Sequence, residues 1–271
     1  MTPGAQSGLG RPGVALPAPM LIVPDWDADV RVGACMTTRA GGVSVPPWDS
    51  MNLGMGSGDA PDVVQANRER FASTIGATPV FLRQVHGERV VHLDANSARG
   101  SVEAADASWT REPGVACAVL VSDCLPVLFA APQARAVGAA HAGWRGLSAG
   151  VLERCARAVC NGASCEPHEL VAWLGPCIGP DAFEVGADVL SAFGVEPGPA
   201  SRERFRYQPR ADGDPRWRAD LAALARDRLA ALGVRRVSGG TWCTVQERSR
   251  FFSFRRDGVT GRMAAAVWIQ R

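Results

Sequence analysis

The chain has 271 residues, 46% of them hydrophobic and 21% charged, with a formal net charge of +2. That is the composition of a globular protein long enough to bury one large core or two modest ones. It gives no basic footprint for nucleic acid, and no apolar run reaches the roughly 18 residues of a bilayer span.

In chain order, residues 1–19 are rich in Gly, Pro and Ala and lack the basic start and apolar h-region of a signal peptide. They read as a disordered leader to a cytoplasmic chain, with residues 20–271 as a single catalytic domain. Apolar runs at 115–121 (VACAVLV) and 127–131 read as buried strands, and 134–140 (ARAVGAA) as another. Helical spacing predicts a helix over 150–160, a strand over 171–174 and a helix over 187–193. Residues 196–213, which open with Pro197 and Pro199, read as a mobile insertion or lid. The clearest amphipathic helix runs over 218–232 and ends at Gly233; strands over 234–237 and 264–269 close the chain. Strands alternating with helices predict an α/β fold.

All 29 basic residues of the Lys+Arg count are arginine. With no lysine there is no Schiff base and no P-loop, so a bound anion must be held by arginine, backbone N–H groups or a metal. The eight cysteines carry no C-x-x-C spacing and, without a signal peptide, are expected to be reduced.

Three residues draw attention as ligands. His86 lies in QVHG, Cys124 in SDCLP after the 115–121 strand, and His141 opens HAGWRG after the 134–140 strand. All three fall at strand-to-loop junctions, where α/β proteins bind ligands. Two imidazoles and a thiolate are donors zinc prefers, and three protein ligands leave a fourth position open for catalysis. A buried cysteine and two hydrogen-bonded histidines would give the same residues without a metal. Around them, Asp123 and Glu88 are the nearest candidates for proton transfer. Arg39 and Arg145, in glycine-rich turns, could clamp an anion; Arg255 follows an aromatic run. Asn52 and Cys177 could line a pocket or serve their own turns. His86-Gly87-Glu88 has the H-x-E of zinc nucleobase deaminases, but the partner P-C-x-x-C is missing.

Eleven ordered segments carry a resemblance: TTRAGGVS (37–44), NLG (52–54), GD (58–59), NR (67–68), RQVHGERV (83–90), ADASWT (105–110), SDCLPVLF (122–129), HAGWRGL (141–147), LGPCIGP (174–180), FEVG (183–186) and FFSFRRDGVTGRMA (251–264). Together they resemble the bacterial purine nucleoside phosphorylase family formerly called polyphenol oxidase or laccase-domain proteins, over about residues 20–271. The resemblance implies a layered α/β sandwich with mixed sheets, related to cysteine-hydrolase folds. It implies one zinc on His86, Cys124 and His141, with phosphorolysis of adenosine, inosine and methylthioadenosine and deamination of adenosine. The implied partners are small purine nucleosides and phosphate; charge and hydropathy give no expectation of nucleic acid or membrane, and the chain is expected as a monomer or homodimer.

The chain departs from the family's usual residues at Ser122 (alanine) and Phe254 (tyrosine), and before Trp217 it is longer and richer in arginine. These departures bear on substrate preference. A multicopper oxidase needs more histidine than the four present, although copper could occupy the single site in vitro. Two other readings stay open: a metal-free Cys-His amide hydrolase acting on peptidoglycan precursors, with Cys124 as nucleophile, and a binding protein that only retains the fold.

Overall fold

The structure, a computed structural model, describes residues 20–97 and 103–271; the expected leader lies outside them. Fourteen strands are described: β1 (Leu21–Ile22), β2 (Val32–Thr37), β3 (Thr78–Phe81), β4 (Val90–Leu93), β5 (Ala107–Thr110), β6 (Val115–Val121), β7 (Leu125–Ala130), β8 (Val137–Ala142), β9 (Val171–Leu174), β10 (Glu184–Val185), β11 (Phe205–Tyr207), β12 (Trp217–Ala219), β13 (Arg236–Gly239) and β14 (Met263–Ile269). The helices are α1 (Pro61–Ile75), α2 (Trp144–Ala149), α3 (Val151–Ala163), α4 (Ala187–Ala192), α5 (Leu221–Leu232) and α6 (Phe254–Asp257).

Two mixed sheets dominate, one ordered β1-β2-β14-β6-β3 and the other β13-β9-β7-β8-β5-β4. Residue alternation along their central strands explains why they stack. In β6, Val115, Cys117, Val119 and Val121 face one way and pack with Leu128, Val137 and Trp173 of the other sheet. Ala116 and Ala118 face the other way, with Phe71 of α1. In β7, Leu128 and Ala130 join the layer between the sheets, while Val127 and Phe129 meet Cys155, Val159 and Leu224 of α3 and α5. Strands buried on both faces must be apolar throughout, which is why these runs lack a polar alternation. The result is a single α/β sandwich with helices on both outer faces. Gly138 lets α3 approach, since a Cβ there would lie 2.6 Å from Val159 Cγ2.

Several elements differ from expectation. Residues 134–136 belong to a turn, and β8 starts at Val137. The helix expected over 218–232 begins at Leu221, because Asp220 caps it by accepting from the Ala223 N–H at 2.9 Å. Arg218 and Ala219 lie instead in β12, in a small third sheet ordered β10-β12-β11. That sheet also corrects the lid expected over 196–213: β11 pairs with β12, and Phe205 is buried in the core.

The site follows from the register. β3 runs parallel to β6, so both end at the same edge of the sandwich. β7 runs antiparallel to β8, with Leu125 opposite Ala142 and Pro126 opposite His141. The carboxyl ends of β3, β6 and β8 therefore deliver QVHG, SDC and HAGW to one place.

Candidate metal centre

His86, Cys124 and His141 each offer one ligand atom, and these atoms all lie within 4.8 Å of one another. Cys124 Sγ is 3.9 Å from His86 Nε2, and the two imidazole rings meet edge to face with centroids 4.8 Å apart. His141 is buried, Cys124 half-buried and His86 exposed. Among the described residues this is the one group of three or more such donors able to hold a metal ion. The other two histidines stand apart: His92 packs on Trp109, and His168 sits in a turn at Pro167–Glu169.

Asp106, fully buried, organises the cluster. Its Oδ1 accepts from His141 Nδ1 at 2.8 Å and from the His86 N–H at 2.9 Å. Its Oδ2 accepts from the N–H groups of Val85 at 3.1 Å and Gly87 at 2.8 Å. His86 has a positive φ of 60°, which a non-glycine residue adopts at a cost, and these bonds hold it there. With Nδ1 of His141 engaged, Nε2 is the nitrogen left to bind. Burial by itself would raise the carboxyl of Asp106, but the His141 bond and the loop N–H groups bring it below the usual range. Burial likewise opposes ionisation of Cys124, yet the facing His141 and His86 outweigh it and lower the thiol to about 6. His141, which burial would lower, is raised to about 9 by the Cys124 charge and by Asp106.

The residues fit a divalent metal on two counts. Two imidazoles and a readily ionised thiol are the donors of zinc-type sites. The backbone also leaves room for them: a Cβ on Gly143 would lie 3.0 Å from both Cys124 Sγ and His86 Cδ2. The second glycine of HAGWRG has a different role, as a Cβ on Gly146 would lie 2.7 Å from the Gly87 carbonyl oxygen and push the His86 loop away.

The cluster lines a cavity of about 750 Å³, within the usual range for small-molecule sites. Gly54–Ser57, Phe81, Phe254, Arg68, Arg83 and Arg262 are among its other walls. The remaining residues singled out in the sequence sit elsewhere or do other work. Asp123 lines the cavity, but Thr244 Oγ1, Ser253 Oγ and the Arg255 N–H all donate to its carboxylate at 2.7 Å. Glu88 turns away from the cavity to pair with Arg154 at 2.9 Å. The Arg39 guanidinium is held by the Asp49 and Arg248 carbonyls and the Asp49 carboxylate, and Arg145 stacks on Trp144. Neither of these arginines, expected as an anion clamp, is among the residues that line the cavity. Arg255 donates to the Glu184 carbonyl, and Cys177 is buried beside Cys243. Asn52 is fully buried: it donates to Ser57 Oγ and Asp59 Oδ2 and accepts from the N–H groups of Gly54 and Arg262. It builds the cavity wall from behind.

Sequence reasoning passed over Asp106, Arg68, Arg262 and Gly143. Each lies inside a segment quoted for the resemblance, but nothing local marks the role.

The family model described as multi-copper polyphenol oxidoreductase laccase matches residues 33–270. The chain is 47% identical over 251 residues to the Escherichia coli protein named purine nucleoside phosphorylase YfiH, covering 92% of this chain and 98% of that one. It is 41% identical to a Haemophilus influenzae protein named purine nucleoside phosphorylase, covering 92% and 99%. Among solved structures, a Neisseria meningitidis protein superposes with a TM-score of 0.83 at 46% identity, covering 93% of this chain and 99% of that one. Bacillus licheniformis YfiH also gives 0.83, at 29% identity and with 93% and 97% covered. No helix among the described residues is long and apolar enough to cross a membrane.

Proposed function

We propose, since the chain belongs to the multi-copper polyphenol oxidoreductase laccase family, that it is a zinc-dependent purine nucleoside phosphorylase. The observation that carries this reading is the convergence of His86, Cys124 and His141 on one cavity, in a chain so similar to proteins named for that activity. In the reaction, the bond from C1′ of the ribose to the purine nitrogen breaks and a phosphate oxygen bonds to C1′. The purine leaves with a proton, and ribose 1-phosphate is formed. His86, Cys124 and His141 would hold the metal, which when bound supplies a Lewis acid and fixed positive charge. Asp106 keeps His141 in one tautomer and the His86 loop in one conformation, so the donors need little rearrangement. Phe81 and Phe254 offer aromatic surface for a purine ring, and the cavity has room for a nucleoside.

Adenosine, inosine and methylthioadenosine are the proposed nucleosides, with deamination of adenosine as a second activity. Deamination draws less support from the cavity: its carboxylate, Asp123, is already engaged, and Glu88 is paired outside. The multicopper oxidase reading draws none, because two of the four histidines lie away from the cluster. The test is to measure zinc in the purified protein and to follow adenosine and inosine with and without phosphate. Phosphate-dependent release of free base, lost with the metal in Cys124→Ala, is the expected result. Base release that ignores phosphate, or no turnover in zinc-loaded protein, would overturn it.

A second reading has its own observation. Cys124, His141 and Asp106 stand as a low-pKa thiol, an imidazole and an orienting carboxylate, the arrangement of a cysteine amide hydrolase. It predicts that zinc removal accelerates cleavage of a peptidoglycan-precursor amide, whereas the zinc reading predicts loss of all activity.

A further inference from the structure

The cavity wall includes three guanidinium groups, those of Arg68, Arg83 and Arg262. Among the described residues, none of the three forms an ion pair with a carboxylate. Two of them are built into the wall. The side chain of Arg262 lies over Gly54, where a Cβ would come within 2.6 Å of its Cγ, and the backbone N–H of Arg262 donates to Asn52 Oδ1 at 2.9 Å. Its Nη1 is spent on the carbonyls of Thr260 and Gly261, which leaves Nε and Nη2 without a protein acceptor. Arg68 reaches from α1, donates from Nε to the Leu53 carbonyl at 2.9 Å and stacks over Phe81 at 4.2 Å, which leaves both terminal nitrogens. The two side chains thus grip neighbouring residues, Leu53 and Gly54, of one wall segment.

Burial lowers Arg68 to about 10, and it also lowers Arg262, which faces the charges of Cys124 and Asp123. A partly desolvated cation with no carboxylate in direct contact costs stability, and an oxyanion ligand on its open N–H groups would recover part of that cost. Arginine is suited to this because its fork matches two oxygens of a tetrahedral oxyanion at once.

We propose that Arg262 and Arg68 form an oxyanion subsite of this cavity that takes a phosphate group, with Arg83 at its exposed rim. The group is either inorganic phosphate or the phosphoryl group of a nucleotide. The inference deepens the phosphorolytic reading by giving the anion its residues, but binding at the subsite does not depend on turnover.

The test uses the purified full chain with its metal content measured. Binding of inorganic phosphate and of adenosine 5′-monophosphate is followed by phosphorus NMR and calorimetry for the wild type, Arg262→Gln, Arg68→Gln and the Arg→Lys variants. Wild-type protein is expected to bind phosphate, with at least tenfold weaker binding in each Gln variant and partial recovery in the Lys variants. In turnover, KM for phosphate should rise while KM for the nucleoside stays within about twofold. Thermal melts establish which variants are folded, and the Lys variants carry the comparison if a Gln variant is not. Arginine-dependent binding of the nucleotide but not of phosphate supports the subsite and assigns it to a phosphorylated nucleoside. Arginine-dependent phosphate binding without any nucleoside cleavage supports the subsite while the phosphorolytic reading falls. Unchanged affinity for both probes in folded Gln variants, or no binding of either by the wild type, overturns the proposal.

Discussion

Asp106 Oδ1 lies 2.8 Å from His141 Nδ1, and the same carboxylate accepts three backbone N–H groups from the loop that carries His86. One buried side chain therefore sets the tautomer of one donor and the backbone conformation of another. Asp106→Asn keeps the size but turns an amide N–H₂ towards groups that are themselves donors. We expect metal affinity to fall roughly 10- to 100-fold and stability to fall by about 1–3 kcal/mol. Chelator competition and thermal melts measure the two effects separately. An Asn variant that keeps wild-type zinc affinity would show that Asp106 does not organise the site.

The pairing of Cys124 with His141 gives metal-free protein a defined pH window. The Cys124 thiol, held at about 6 against an ordinary 9.0, contributes stability that is lost as pH falls through about 6. His141, held at about 9 against an ordinary 6.5, contributes stability that is lost as pH rises through about 9. The pair is thus most favourable between those values. Iodoacetamide should modify one thiol first in metal-free protein, with a midpoint near pH 6, because burial pushes Cys35, Cys117 and Cys160 up to about 12. Added zinc should suppress the reaction. A midpoint near the ordinary thiol value would refute the pairing.

Gly143 separates room for the metal donors from stability of the fold. In Gly143→Ala the new methyl presses on Cys124 Sγ and His86 Cδ2 at 3.0 Å. The expected outcome is a protein that still melts cooperatively, at a cost of about 1–3 kcal/mol, but retains far less than one zinc per chain. Elemental analysis after gel filtration reads this directly, and full zinc occupancy would count against it.

Asp123 offers a way to tell anchoring from proton transfer. Its carboxylate ties Thr244, Ser253 and the Arg255 backbone to the cavity edge. Asp123→Asn should lower the melting temperature while the pH-rate profile keeps both limbs. Loss of one limb with stability unchanged would identify Asp123 as a proton carrier instead.

The sequence by itself determined the buried strands, and it singled out three candidate donors that the fold brings together. The runs at 115–121 and 171–174 became β6 and β9 with the expected limits, because a strand covered on both faces has to be apolar along its whole length. His86, Cys124 and His141 could be singled out because few side chains bind metal and each falls at an expected strand-to-loop junction; in the fold His141 lies within β8, one residue before its end. Other assignments needed the tertiary structure. Arg39, Arg145, Arg68 and Arg262 are alike in sequence, since a guanidinium in a turn or on a helix carries no sign of what it will face. Only the packing of α1 and of the residue preceding β14 against Leu53-Gly54 brings Arg68 and Arg262 to the cavity, while Asp49 and Trp144 occupy the other two. Asp106 and His141 are likewise 35 residues apart. They meet because β5 and β8 pair, and that choice of neighbours is made by the whole sandwich rather than by either segment.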